Sequence, residues 1–183
     1  EAEEARRQGV PYRDAIGQCY PAGMPMIMTR VHPISMIQLP TVVYMLLGFT
    51  NSMRFIYLDG RQHSDPDVVV YTYNGESIGR WEGDALVVHT KYLEPNMHFI
   101  DSGIPISDQF EIIERITMEE DGMLRIDYTM TDPKMWKGEW KSTKRFIRQD
   151  YSDIPESECL PNLNENLPST AEGQRAIDRR SGN

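Results

Sequence analysis

The feature that most restricts this chain is a run of short apolar stretches set apart by turn residues, from Ile34 to Ile147. Each is about five to ten residues long and rich in Val, Ile, Tyr, Phe and Thr. No sustained helical period lies between them. Parallel βαβ units are therefore not expected, and consecutive stretches are expected to pair antiparallel.

The stretches can be followed in order. "ISMIQL" and "TVVYMLLGF" are divided by Pro40, which cannot donate to a strand ladder. "SMRFIYL" follows a short "TN" turn. A polar loop, "DGRQHSDPD", leads to "VVVYTY", read as a strand ending at the hairpin signal Asn74-Gly75. "ESIGRWEG" and "DALVVHTKYL" meet at Gly83-Asp84, a tight turn. After a loop from Glu94 to Asp108 come "QFEIIERITM", "MLRIDYTMT" and "GEWKSTKRFIRQ", the first two joined by "EEDG". The expected fold is all-β: an antiparallel up-and-down barrel, lipocalin-like, with about eight or nine strands. "EAEEARRQ" reads as a short N-terminal helix, acidic end first. The chain divides into an N-terminal arm and loop (1–30), a barrel domain (31–150) and an irregular C-terminal tail (151–183).

Charge narrows the partners. A net charge of −9 argues against nucleic acid and anionic membranes, which attract basic patches. The longest apolar run, "VVYMLLGF", is far too short for a membrane-spanning helix. Eleven methionines read either as adaptable core filler or as the lining of a plastic apolar cavity. The chain opens on Glu1 rather than Met, which suggests a removed leader or a trimmed segment.

Cys19 and Cys159 stand near the two ends of the strand region, and neither sits in a C-x-x-C pair. A disulfide between them is favoured, and it would place the protein in an oxidising compartment, periplasmic or secreted. Two unrelated thiols are the alternative.

Alternation along the last three strands defines an inner face. It carries Phe110, Ile112, Glu114, Ile116 and Met118, then Leu124, Ile126, Tyr128 and Met130, then Trp140, Ser142, Lys144 and Phe146. The face is apolar apart from Glu114, Tyr128, Ser142 and Lys144. A buried charge needs a partner, so Glu114 and Lys144 are expected to pair with Tyr128 between them. Such a cluster in an apolar barrel resembles a small-molecule site. A desolvated Glu114 would also suit general acid–base work. A structural ion pair at the barrel's end is the alternative. Asp59, Arg61 and His63 crowd one strand end, where an aspartate could orient the imidazole; they equally fit turn chemistry. The four histidines, His32, His63, His89 and His98, show no metal-ligand spacing, so no metal and no cofactor are expected.

"SIGRWEGDALVVHT", Ser77 to Thr90, is the longest distinctive motif. Gly79 and Gly83 permit a bulge and a turn, Trp81 can plug a barrel end, and Arg80 can stack or pair at a pocket rim. This stretch, with Gly75, resembles the hallmark of a large family of uncharacterised, mostly exported bacterial proteins, approximately G-H-S-I-G-R-W-E-G-D-T-L-V-V-D-T. "CYPAGMP", "RFIYLDGRQH" and "ERITMEEDGMLRIDYTMTDPK" resemble the family too, so the likeness spans roughly residues 19 to 160. The chain departs from that pattern at Glu76 and Ile106, where the family often has histidine, and at His89, where it often has aspartate. The resemblance implies export and no particular activity.

The leading expectation is an exported β-barrel that binds a small apolar or aromatic molecule. Tyr128, Trp140, Trp81, Arg80, Met130 and Ser142 are the candidate ligand contacts. The rival is a cofactor-independent lyase, isomerase or hydratase, with Glu114 or His63 moving protons and Arg61 or Lys144 stabilising negative charge. A third reading is an assembly protein whose terminal tails join copies into a homo-oligomer.

Overall fold

The computed structural model describes residues 4, 7, 8, 15–30, 32–101, 104–150, 154, 158 and 159. Two compact units are present. One, residues 22–158, contains every strand among the described residues. The other joins residues 1–21 to 159–183 and holds the Cys19–Cys159 disulfide, with its Cα atoms 5.5 Å apart. The favoured cysteine pairing is therefore present. Most of the segments read as an N-terminal helix and a C-terminal tail lies outside the described residues; Glu4, Arg7 and Gln8 are helical.

The strand unit is all-β, as the alternation requires. Its strands are β1 (Ile34–Gln38), β2 (Val42–Leu47), β3 (Ser52–Tyr57), β4 (Glu76–Glu82), β5 (Ala85–Lys91), β6 (Phe99–Asp101), β7 (Ile104–Pro105), β8 (Glu111–Met118), β9 (Leu124–Thr131) and β10 (Trp140–Phe146). Eight of them make one curled, half-barrel sheet in the order β1-β2-β3-β4-β5-β8-β9-β10. Strands β6 and β7 form a separate small hairpin. All sheet pairings are antiparallel except β3–β4, where Ile56 meets Ser77 and Tyr57 meets Ile78 in parallel.

Turn chemistry explains the hairpins. Glu82 pairs with Ala85 across Gly83-Asp84, and Gly83 takes φ +60°, which a two-residue hairpin needs at that place. Glu119 and Met123 close the β8–β9 turn by a backbone bond of 2.8 Å. The motif from Ser77 to Thr90 is thus a β-hairpin at the centre of the sheet.

One strand expectation fails. "VVVYTY" is not a strand: Val68 and Val70 are 77% and 78% exposed, and only Thr72 makes an isolated bridge, to Leu93. High β-propensity without an apolar face to bury does not make a strand. Asn74-Gly75 therefore closes no hairpin. Gly75 instead turns the chain into β4 at φ +63°, so close to β5 that a Cβ there would lie 2.5 Å from the Lys91 carbonyl oxygen.

The core fills the concave side. Val43, Met45, Leu47, Ile56, Val88, Ile112, Ile116 and Ile126 line the sheet, and a 3₁₀ turn, Met26–Thr29, lays Met26, Ile27 and Met28 among the buried residues. Buried Met24, Met26 and Met45 behave as core filler.

Candidate functional site

Arg54 lies on β3 at a position that alternation turns toward the core, and it is 1% exposed. A guanidinium there has to find a carboxylate. It finds Glu114 on β8, donating from Nη1 to Oε1 at 3.0 Å and from Nη2 to Oε2. Its remaining donors reach Ser77 Oγ from Nε at 3.0 Å, Thr90 Oγ1 from Nη2 at 2.9 Å and Met45 Sδ from Nη1 at 3.7 Å. Arg54 and Glu114 are separated by three strand spacings, about 14 Å measured along the sheet. The side chains meet because the curl shortens the chord. This pair is a bar across the concave face.

The inward orientation of Glu114 agrees with the sequence, but its partner does not. Lys144 is not involved: β10 is an edge strand, and a lysine there keeps its ammonium near water, with Nζ 5.9 Å from the Phe146 ring centre. Both Glu114 carboxylate oxygens are held by the Arg54 guanidinium. Arg54 was missed. Its signal was available, since Arg54 shares a strand face with Ile56 and a buried carboxylate demands a cation.

Tyr128 pairs with Glu114 on one side and Ser142 on the other. It is 5% exposed, and its hydroxyl has no hydrogen-bond partner among the described residues. Burial, and secondly the Glu114 charge, push its phenol well above the ordinary range, so it stays neutral. Tyr128 lines a cavity of about 590 Å³ whose apolar wall includes Met28, Ile100, Ile104, Met130 and Trp140. Ser142 and Lys144 line it as well, beside Asp101 and Glu139. Trp140, half-exposed, stacks on Trp136 with ring centres 4.7 Å apart. The structure thus gathers Tyr128, Met130, Trp140, Ser142 and Lys144 around one space.

The other candidates stand elsewhere. Arg61 lies 3.9 Å above the Tyr57 ring and is bonded to Asp59. Arg80 pairs with Glu82 at 2.7 Å in solvent, and Trp81 is 50% exposed. None of these lines the cavity.

His63 belongs to a second cluster, on the convex face. There Glu76, His89 and Lys91, and Glu111, project from β4, β5 and β8, opposite in alternation to Ser77, Thr90 and Ile112. The loop between β3 and β4 lays His63 on them. His63 Nδ1 is 2.8 Å from Glu76 Oε2, His63 Nε2 is 3.3 Å from His89 Nδ1, and His89 Nε2 is 2.8 Å from Glu111 Oε2. Lys91 Nζ bonds Glu111 Oε1 at 3.0 Å. The Ser64 hydroxyl and backbone N–H donate to Glu76 at 2.6 and 2.9 Å. Burial alone would raise both carboxyls. Ser64 and His63 outweigh it at Glu76, and Lys91 and His89 outweigh it at Glu111, so both are held below the usual range. Burial lowers His63 despite the opposing bond from Glu76. Among the described residues, no group of three or more His, Cys, Asp and Glu side chains is arranged to hold a metal ion.

Compared with known proteins, the chain matches no family model, no curated protein and no solved structure. Its class is defined by its own geometry: a curled all-β sheet with a bar across its concave side and a lined cavity beside it. Among the described residues, no helix is long and apolar enough to cross a membrane.

Proposed function

We propose that the protein binds a small, largely apolar or aromatic molecule in the cavity beside β9 and β10. The observation that carries this reading is the buried hydroxyl of Tyr128, unpartnered among the described residues, on a wall where Met28, Ile100, Ile104, Met130 and Trp140 stand beside polar side chains such as Ser142 and Lys144. A buried hydroxyl without a partner is destabilising by roughly 1 to 3 kcal/mol. A ligand carrying a hydrogen-bond acceptor removes that penalty, whereas a pure hydrocarbon does not. Met28 and Met130 adapt to shape, Trp140 offers a flat face, and Lys144 offers a donor. The cavity is within the usual size range of small-molecule pockets.

The disulfide and the motif from Gly75 to Thr90 support an exported, oxidising setting. The acid–base reading has less support, because Glu114 is occupied by Arg54 and His63 stands on the opposite face of the sheet.

Calorimetric titration with 2-acetylnaphthalene and with its hydrocarbon isostere 2-isopropenylnaphthalene tests the reading. The ketone should bind about ten-fold tighter, and Tyr128→Phe should level the two. Absence of binding by both would refute the cavity's role for aromatic ligands of this size. Equal binding that ignores Tyr128→Phe would refute the part given to the hydroxyl.

A further inference from the structure

The convex-face cluster poses a counting problem. Three contacts run in series, from Glu76 to His63, from His63 to His89, and from His89 to Glu111. An ionised carboxylate only accepts, so the ring nitrogens His63 Nδ1 and His89 Nε2 must both carry hydrogen. The middle contact joins two ring nitrogens and needs one hydrogen more. Three contacts thus require three protons on four nitrogens. Two neutral imidazoles supply only two.

We propose that His63 and His89 form a binding site for a single proton, which makes the pair an imidazole–imidazolium cation clamped between Glu76 and Glu111. The extra proton resides on His89, which donates from Nδ1 to the Nε2 lone pair of a neutral His63 and from Nε2 to Glu111. His63 donates from Nδ1 to Glu76. Every contact is then satisfied.

Three further observations agree. First, charge closes. Glu76 and Glu111 contribute two negative charges, and Lys91 and the protonated pair contribute two positive ones. Without the proton the cluster keeps a net negative charge. Second, burial and the neighbouring His89 both disfavour a charge on His63, which agrees with a neutral His63. Third, the remaining groups facing the pair do not supply the missing donor. Arg61 faces Glu76 but is bonded to Asp59, Ser64 donates to Glu76, and the Tyr92 hydroxyl donates to the Ser64 carbonyl at 2.7 Å. Tyr71 packs edge-on against Tyr92.

The proton holds a segment in place. His63 and Ser64 are the points at which the long loop between β3 and β4 is tied to β4 and β5. A second proton puts N–H groups on both inner nitrogens and breaks the middle contact. Loss of the first leaves one of the three contacts without a hydrogen. The tie is complete only in the singly protonated state.

Glu111→Gln tests this directly. The glutamine amide donates to His89 Nε2, so all three contacts are satisfied with two ring protons and the pair becomes neutral. The measurement is ¹⁵N NMR of histidine-labelled, disulfide-intact protein at about pH 7. The wild type should show His63 protonated at Nδ1 alone and His89 protonated on both nitrogens. Glu111→Gln should show one ring proton fewer, with the amide of Ser64 still protected from exchange. The proposal falls if both wild-type rings are neutral at that pH. It also falls if Glu111→Gln leaves the ring-proton count unchanged. Stoichiometric uptake of Zn²⁺ by the wild type, with loss of the middle proton, would overturn it by assigning the position to a metal.

Discussion

The Arg54 guanidinium grips both carboxylate oxygens of Glu114 across the concave face of the sheet, with each side chain at most 1% exposed. The two residues are 60 positions apart, and the bond ties β3 to β8 over the intervening β4 and β5. Replacing Arg54 by Met leaves Glu114 buried and unpaired. Urea unfolding should show a loss of about 3 to 5 kcal/mol. The double variant Arg54→Met/Glu114→Met should recover most of it, and a double variant as unstable as Arg54→Met alone would contradict the pairing.

Tyr128→Phe should act in the opposite direction. It deletes a buried hydroxyl that has no partner, so the ligand-free protein should be unchanged or more stable by about 1 kcal/mol in the same unfolding measurement. A clear loss of stability would mean that the hydroxyl is already satisfied.

Two glycines of the motif region should differ sharply. Gly75→Ala places a Cβ 2.5 Å from a backbone oxygen at φ +63°, and thermal unfolding should show a severe loss or failure to fold. Gly83→Ala meets no atom within 4 Å and carries only the left-handed backbone penalty, about 1 kcal/mol. Equal effects would mean that steric approach is not what fixes Gly75.

Acid should weaken the fold in a defined order. Glu76, Glu111 and His63 all have lowered folded pKa values, so each releases protons on folding. Their stabilisation is complete above the unfolded values, 4.5 for the glutamates and 6.5 for His63, and is lost as pH falls through the folded values. The melting temperature should begin to fall below pH 6.5 and fall further below 4.5. Glu76→Gln should flatten the lower part of that curve. A melting temperature independent of pH across both ranges would contradict the assignment.

Much of the fold was legible because one rule, alternation, acts along β2, β3, β8 and β9. It placed Ile112, Glu114, Ile116, Ile126, Tyr128 and Met130 on the buried face, where the structure has them. The hairpins at Gly83 and between Glu119 and Met123 were legible from turn chemistry. "VVVYTY" misled because propensity describes a residue's preference and not whether a neighbour exists to cover it. The site was half legible. Residues on adjacent strands, such as Tyr128, Ser142 and Trp140, could be grouped once the register was guessed. Arg54 could be placed on the buried face beside Ile56 but not matched to Glu114, because curl brings the two together, and His63 could not be matched to His89, because the loop path does. The motif departures at Glu76 and His89 were visible, and both positions meet on His63.

The cystine joining Cys19 to Cys159 has a mechanical consequence. When the chain is pulled from its two termini, tension crosses at the sulfur–sulfur bond and bypasses the chain between two cysteines 140 positions apart. All ten strands lie within that bypass. While the bond is intact, stretching extends only the terminal segments and applies no load to the sheet. Reduction places the whole sheet in line with the force, so one two-electron event decides whether this fold can be unravelled by traction.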